Sequence, residues 1–384
     1  MNILIVTEEY AIGGTSTYLR NLIAALHACH IKTFLITQGQ KQPTIMKSDH
    51  IHIKLEYAWR MKTIPRRTWA TTRALHQMLR IYKFTPDIVL TDLCLPALSY
   101  ILCRYTIPVL RTVPIYYQFH GSFTLEHHDS SPPGLMRDLR YNLRLAIEHF
   151  TLNKARSILC FSSYAKKILH NIIQTTTPII MTHPGVDPVI IQARHINKSK
   201  ARNILGISHT KPIILLASRL DEKRKAVDQF FSLLQSKKRI LNESVIVLCA
   251  NLENAPQKFY QMLRDIPSRY SIYLVHNPSR ATLGLWYRAS DVVVLPSVSL
   301  ETFGFVTLEA YSVGTSVIAY DIGANRELIE SDWLAPVANK YALLEIIQKN
   351  LQLNKAEKNI LSKNLIKKSM PFTWEAYLQT ILDF

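Results

Sequence analysis

Two acids, Glu301 and Glu309, stand either side of a Thr-Phe-Gly-Phe turn in the stretch PSVSLETFGFVTLEAYS (296–312). The stretch follows DVVVLP (291–296), a short apolar run of the kind that forms a buried strand, so Glu301 falls in a strand-to-helix loop and Glu309 on a helix beginning near 303–305. Eight residues at ~1.5 Å rise each would separate the acids by up to ~12 Å in an all-helical segment, too far to share a proton. That span resembles a sugar nucleotide, with each acid on hydroxyls of a different ring and the diphosphate between them at the helix N-terminus. A helix start offers amides and a positive dipole end to an anion, and Gly304 allows close backbone approach. Taken alone, the stretch also reads as a capping acid followed by a surface glutamate.

Other loops carry complementary groups. In ASRLDEKRKAVD (217–228), Arg219 ends a strand-like run and Lys225 precedes a helical one, and two fixed cations at a helix start suit a diphosphate. The competing reading is a solvated basic run. In TEEYAIGGTSTYLRNLI (7–23), Gly13 and Gly14 precede the N-cap candidates Thr15 and Ser16, a turn that could seat an anion or merely be tight. It lacks the G-x-G-x-x-G spacing, which disfavours a nicotinamide cofactor. In FHGSFTLEHHDSSPPG (119–134), His120 stands where a strand should end and could exchange hydrogen bonds with a bound hydroxyl, or simply pack or cap. The neighbouring Glu126, His127, His128 and Asp129 fit no strong metal-ligand spacing. Neither a metal nor a cofactor is expected.

These loops need strands to present them. The 384 residues exceed what one core usually serves, and apolar runs separated by helix-length segments divide into two α/β halves. NILIV (2–6), TFLIT (33–37), DIVL (87–90), VLRTV (109–113), SILCF (157–161) and PIIM (178–181) are the expected strands of the first half. PIILLAS (212–218), SVIVLCA (244–250), SIYLV (271–275), DVVVLP and SVIAY (316–320) are those of the second. Two doubly wound, Rossmann-like parallel sheets follow, facing across a cleft lined by the loops after their strands. HPGVDP (183–188) breaks both helix and strand, so the expected domains are 1–188 with a C-terminal helix at about 372–384, and 189–371.

Composition narrows the partners. No run reaches the ~20 apolar residues of a membrane span and no secretory leader pattern opens the chain, so it reads as cytoplasmic. The five cysteines lack paired spacing and read as reduced thiols. Forty-six basic residues against 28 acidic give a net charge of +18, which implies anionic partners. Residues 54–80 hold seven basic residues and one acid, interleaved with tryptophans, and Arg137, Arg140 and Arg144 repeat at one helical face. Both suit an anionic membrane surface, with peripheral association at its inner face, or else are solvated helix faces. No nucleic-acid motif is present, and no nucleic-acid partner is expected.

Together these residues resemble retaining glycosyltransferases of family 4, which have the GT-B fold. The resemblance spans nearly the whole chain and is most specific over 291–329, where the E-x7-E motif is complete. It implies that Glu301 contacts the donor sugar, that the Phe303–Val306 backbone faces the diphosphate, and that Glu309 binds the ribose. It further implies that Arg219 and Lys225 neutralise the leaving diphosphate, that Gly13-Gly14 form the N-terminal glycine loop, and that His120 lies near the reacting centre. The first domain would bind the acceptor and the second the nucleotide sugar. The sequence departs from the pattern where AIGG replaces P-x-x-G-G and where Ala226 replaces a frequent glycine. The implied reaction is retaining transfer from a nucleotide diphosphate sugar, UDP-linked by family frequency with GDP possible, to a glycan or lipid-linked acceptor. No Asp-x-Asp motif occurs, so a metal bridge is not expected. A sugar-nucleotide epimerase of the same architecture and a non-catalytic sugar-nucleotide binder are the alternatives.

Overall fold

The computed structural model describes residues 1–7, 14–38, 47–48, 51–56, 64–129, 134–207, 210–220, 222–236, 241 and 243–382. The chain divides into two compact units, Met1–Pro184 with Trp374–Phe384, and Gly185–Thr373.

Unit 1 is built on an eight-stranded sheet. Its strands are β1 (Asn2–Thr7), β2 (Lys32–Gln38), β3 (Lys47–Ser48), β4 (Ile51–Glu56), β5 (Ile88–Thr91), β6 (Ile115–Phe119), β7 (Ser157–Cys160) and β8 (Ile179–Met181), in spatial order β3-β4-β2-β1-β5-β6-β7-β8. All neighbours pair in parallel except β3 with β4. The central strands β1, β5, β6 and β7 are buried almost throughout, as a sheet covered on both faces requires. On one face Leu4, Val6, Phe34, Ile36 and Val89 pack with Ala74, Leu75 and Met78 of the helix Ile64–Arg80 and with Tyr100 and Ile101 of the helix Cys94–Arg104.

VLRTV (109–113) is not a strand. Pro108 opens a 3-10 turn over Pro108–Leu110, which buries Leu110 and Val113, and the strand forms instead over IYYQF after Pro114. The strand Ile51–Glu56 falls where a basic, aromatic-rich segment was read only for its charge.

Unit 2 holds a six-stranded, wholly parallel sheet of β9 (Ile213–Ala217), β10 (Val245–Ala250), β11 (Ser271–His276), β12 (Val292–Leu295), β13 (Ser316–Tyr320) and β14 (Leu334–Ala335). The order is β11-β10-β9-β12-β13-β14, so the chain reverses its winding between β9 and β12. Ligands collect beyond the strand ends at such a switch point. Among the described residues no helix is long and apolar enough to cross a membrane.

The C-terminal helix Trp374–Leu382 belongs to unit 1. It buries Trp374, Tyr377, Leu378 and Ile381, and the Tyr377 hydroxyl meets that of Tyr18 at 2.5 Å. The Nε2 of Gln118 on β6 donates to the same Tyr377 oxygen at 3.3 Å.

Candidate functional site

Strands β9 and β12 lie side by side in unit 2, and the loops that leave their carboxyl ends carry the residues singled out above. After β12 the chain runs through Pro296 and buried Ser297 into a turn where Leu300 takes the left-handed conformation at φ 51°. After β9 it passes Arg219 and enters a 3-10 turn over Lys223–Lys225 before the helix Val227–Ser232. The two loops are stitched together by backbone. Val298 N donates to Arg224 O at 2.8 Å, and the Arg224 guanidinium donates to Leu300 O at 3.0 Å.

This stitching brings Lys225 to Glu301. Lys225 Nζ donates to Glu301 Oε2 at 2.9 Å, and both side chains are largely buried. Burial pushes the Glu301 carboxyl up, but Lys225, Arg224 and a hydrogen bond from Ser297 outweigh it and hold the group below its ordinary range. Glu301 is therefore an anion with a fixed cation beside it. Arg219 stands more open, its side chain 55% exposed, with Nη1 2.9 Å from Glu222 Oε1. The other Glu222 oxygen takes Arg224 at 2.6 Å, so Glu222 pairs with both Arg219 and Arg224. Ala226, where a glycine often stands, adopts φ 44°, the left-handed conformation that glycine enters without strain.

The helix after the turn begins at Phe305, within the expected 303–305, and Gly304 is its N-cap at φ 97°. Glu301 thus lies outside the helix, and a helical rise does not measure the gap between the two acids. Gly304 brings no side-chain cap to this N-terminus. A Cβ on Gly304 would meet only the terminal Cδ1 of Leu328 closely, at 2.8 Å, so it is the left-handed backbone that selects glycine. Phe303 is buried against Phe305 and Phe372, at ring-centroid distances of 4.8 and 6.3 Å, and anchors the turn.

Glu309 is set quite differently. It lies buried on the helix Phe305–Ser312, ion-paired with Arg280 and accepting from the Tyr287 hydroxyl at 2.9 Å. Arg280 Nε also reaches Asp187 Oδ2 at 2.7 Å, and Asp187 caps the helix Pro188–Gln192 through Val189 N. Burial opposes the charge on Arg280, yet Glu309 and Asp187 raise its affinity for the proton well above the ordinary value. Burial and the Glu309 charge likewise keep Tyr287 protonated. Neither Arg280 nor Tyr287 was singled out from the sequence. The only signal was the position of Arg280 in a loop beyond a strand end.

In unit 1, Gly13 lies outside the described residues, and Gly14 opens the helix Gly14–Ala28. His120 follows directly on β6, its ring edge-on to Tyr18 at 4.6 Å and to Phe161 at 5.0 Å. Burial lowers its pKa from 6.5 to about 3, so the imidazole is neutral at physiological pH. The loop after it is pinned by Glu148 of the helix Leu135–Leu152, a fully buried acid that accepts from Ser122 Oγ, Phe123 N and Thr124 N at 2.9, 3.0 and 3.0 Å. Glu148 gave no sequence signal, because its partners lie more than twenty residues away. His127, His128 and Asp129 lie on the short helix Phe123–Asp129. Among the described residues no group of three His, Cys, Asp or Glu side chains is placed to hold a metal.

Residues 12–189 match the family model described as Glycosyltransferase Family 4, and residues 197–368 match that of Glycosyl transferases group 1. A D-inositol 3-phosphate glycosyltransferase of Arthrobacter sp. (strain FB24) is 32% identical over 143 residues, which is 36% of this chain and 33% of that protein. The chain thus aligns with only about a third of that relative's length. Among solved structures, the sucrose-phosphate synthase of Thermosynechococcus elongatus superposes with a TM-score of 0.81 at 21% identity, over 100% of this chain and 97% of that one. Anabaena HepE in complex with UDP superposes with a TM-score of 0.72 at 17% identity, over 100% and 99% of the two chains.

Proposed function

The chain belongs to glycosyltransferase family 4 and has the GT-B fold, and from that premise we propose that it moves a sugar from a nucleotide diphosphate sugar to a glycan or lipid-linked acceptor with retention of anomeric configuration. The observation that carries this reading is the buried Lys225–Glu301 pair three residues ahead of a helix start capped only by Gly304. An ionised carboxylate can orient sugar hydroxyls, while the lysine, the exposed Arg219 and the first-turn amides of the helix meet charge growing on the departing diphosphate. Glu309, held by Arg280 and Tyr287, retains lone pairs for the ribose hydroxyls. His120 serves as a neutral hydrogen-bonding group for a substrate hydroxyl, and Gly13-Gly14 as the backbone seat of the N-terminal loop. UDP is the favoured nucleotide, supported by the UDP-bound structural relative.

On this reading unit 2 binds the nucleotide sugar without a metal bridge and unit 1 binds the acceptor, at an anionic membrane surface if the acceptor is lipid-linked. The test is incubation of the purified chain with UDP-sugars, with and without acceptor. Release of UDP that persists in a chelator and falls at least about tenfold in Lys225→Ala is expected. Isomerised donor without transfer would instead make it an epimerase, and binding without any turnover a non-catalytic binder.

A further inference from the structure

Three helices of unit 1 form one continuous outer layer. Ile64–Arg80 packs on Cys94–Arg104, where Thr72 Oγ1 meets Cys103 Sγ at 2.9 Å, and Cys94–Arg104 packs on Leu135–Leu152, where Cys94 Sγ lies 3.9 Å from Thr151 Oγ1. The outward side of this layer is unusual for a protein surface. On the third helix Leu135, Met136, Leu139 and Leu143 are 84, 59, 60 and 60% exposed, an apolar stripe at helical spacing that no described side chain covers. On the first helix Trp69 is 58% exposed, with the Arg73 guanidinium 5.8 Å from its ring centroid.

Basic residues are frequent on the segments that build this layer. Residues 64–113 contain seven basic side chains and two acids, one of which, Asp92, is buried. The third helix also carries Arg140 and Arg144, and the one acid exposed on it, Asp138, pairs with Arg137 at 3.5 Å.

We propose that this layer is a docking face for an anionic lipid surface, with Leu135, Met136, Leu139 and Leu143 entering the interface and the arginines contacting lipid phosphates. Charge complementarity selects this occupant. A second copy would bring like charge against like, while apolar side chains and an exposed tryptophan set among arginines match the composition of an interfacial helix. This extends the membrane part of the proposed function, resting on it only for what the docked enzyme would act upon. Docking is read without donor or turnover, so it can fail while transfer stands, or stand while transfer fails.

The experiment is co-sedimentation of the full chain with phosphatidylcholine vesicles, with and without phosphatidylglycerol. Binding confined to the anionic vesicles and weakened by salt is expected, with Arg140→Glu/Arg144→Glu and Leu139→Gln/Leu143→Gln each lowering the partition coefficient about tenfold or more while circular dichroism is unchanged. No binding to anionic vesicles at low salt would overturn the proposal, as would equal binding to neutral ones. Full retention of binding in the leucine variant would overturn the inserted stripe, and a dimer that this variant dissociates would reassign the face to self-association.

Discussion

Single residues at this site are defined by what compensates their burial. Glu301 stays ionised because Lys225, Arg224 and Ser297 offset its desolvation, whereas His120, surrounded by Tyr18 and Phe161, gives up its proton affinity. The histidine has a measurable consequence. Its folded pKa of about 3 lies below the unfolded 6.5, so its stabilising effect is fully present above pH 6.5 and is lost as pH falls toward 3, where the unfolded chain binds a proton that the folded one refuses. The loss is on the order of 5 kcal/mol across the whole window. Urea midpoints of unit 1 measured at pH about 8 and about 4.5 should therefore differ more in the wild type than in His120→Gln. An equal difference in both would assign the acid sensitivity to another group. The identity of His120 and Glu301 was legible in the sequence because each sits just past an apolar run. Glu148, which pins the loop after His120, was not, since it gains that role only from a loop more than twenty residues away that tertiary structure brings to it.

Elements set the precision of these residues. Strands β9 and β12 run side by side, and the backbone link between Val298 and Arg224 fixes the loops that carry Glu301 and Lys225. The helix Phe305–Ser312 starts directly after Gly304, whose left-handed φ of 97° suits a glycine. Gly304→Ala should destabilise unit 2 by about 1–3 kcal/mol from backbone strain alone, read as a lower thermal midpoint, and should weaken nucleotide binding by shifting the helix start. An unchanged midpoint would mean that this turn relaxes freely. Most strands were legible as continuous apolar runs, the pattern of a sheet covered on both faces. The run VLRTV misled because Leu110 and Val113 are buried from a 3-10 turn and the residues after it while Val109 is exposed, and apolar character alone does not distinguish turn from strand. The flanking Pro108 and Pro114 were the better signal.

At the scale of the whole molecule, two parallel sheets of eight and six strands each present loops at their carboxyl ends, and the two units differ in what those loops hold. Unit 2 gathers paired charges: Lys225 with Glu301, Arg219 and Arg224 with Glu222, and Arg280 with Glu309 and Asp187. Unit 1 sets His120 beside Tyr18 and Tyr18 against Tyr377, and holds the buried acids Asp92 and Glu148 on hydroxyl and amide donors. That division is the physical basis for assigning the diphosphate to unit 2. Calorimetric titration of UDP into the wild type and into Lys225→Ala, with folding of the variant checked by circular dichroism, tests it most directly. Saturable binding to the wild type that weakens by roughly 10–150-fold in Lys225→Ala is the expected result, given the ~1.5–3 kcal/mol of a hydrogen bond to a charged group. Equal affinity in a folded Lys225→Ala, or no binding of any nucleoside diphosphate by the wild type, would contradict the placement of the donor at Lys225 and Glu301.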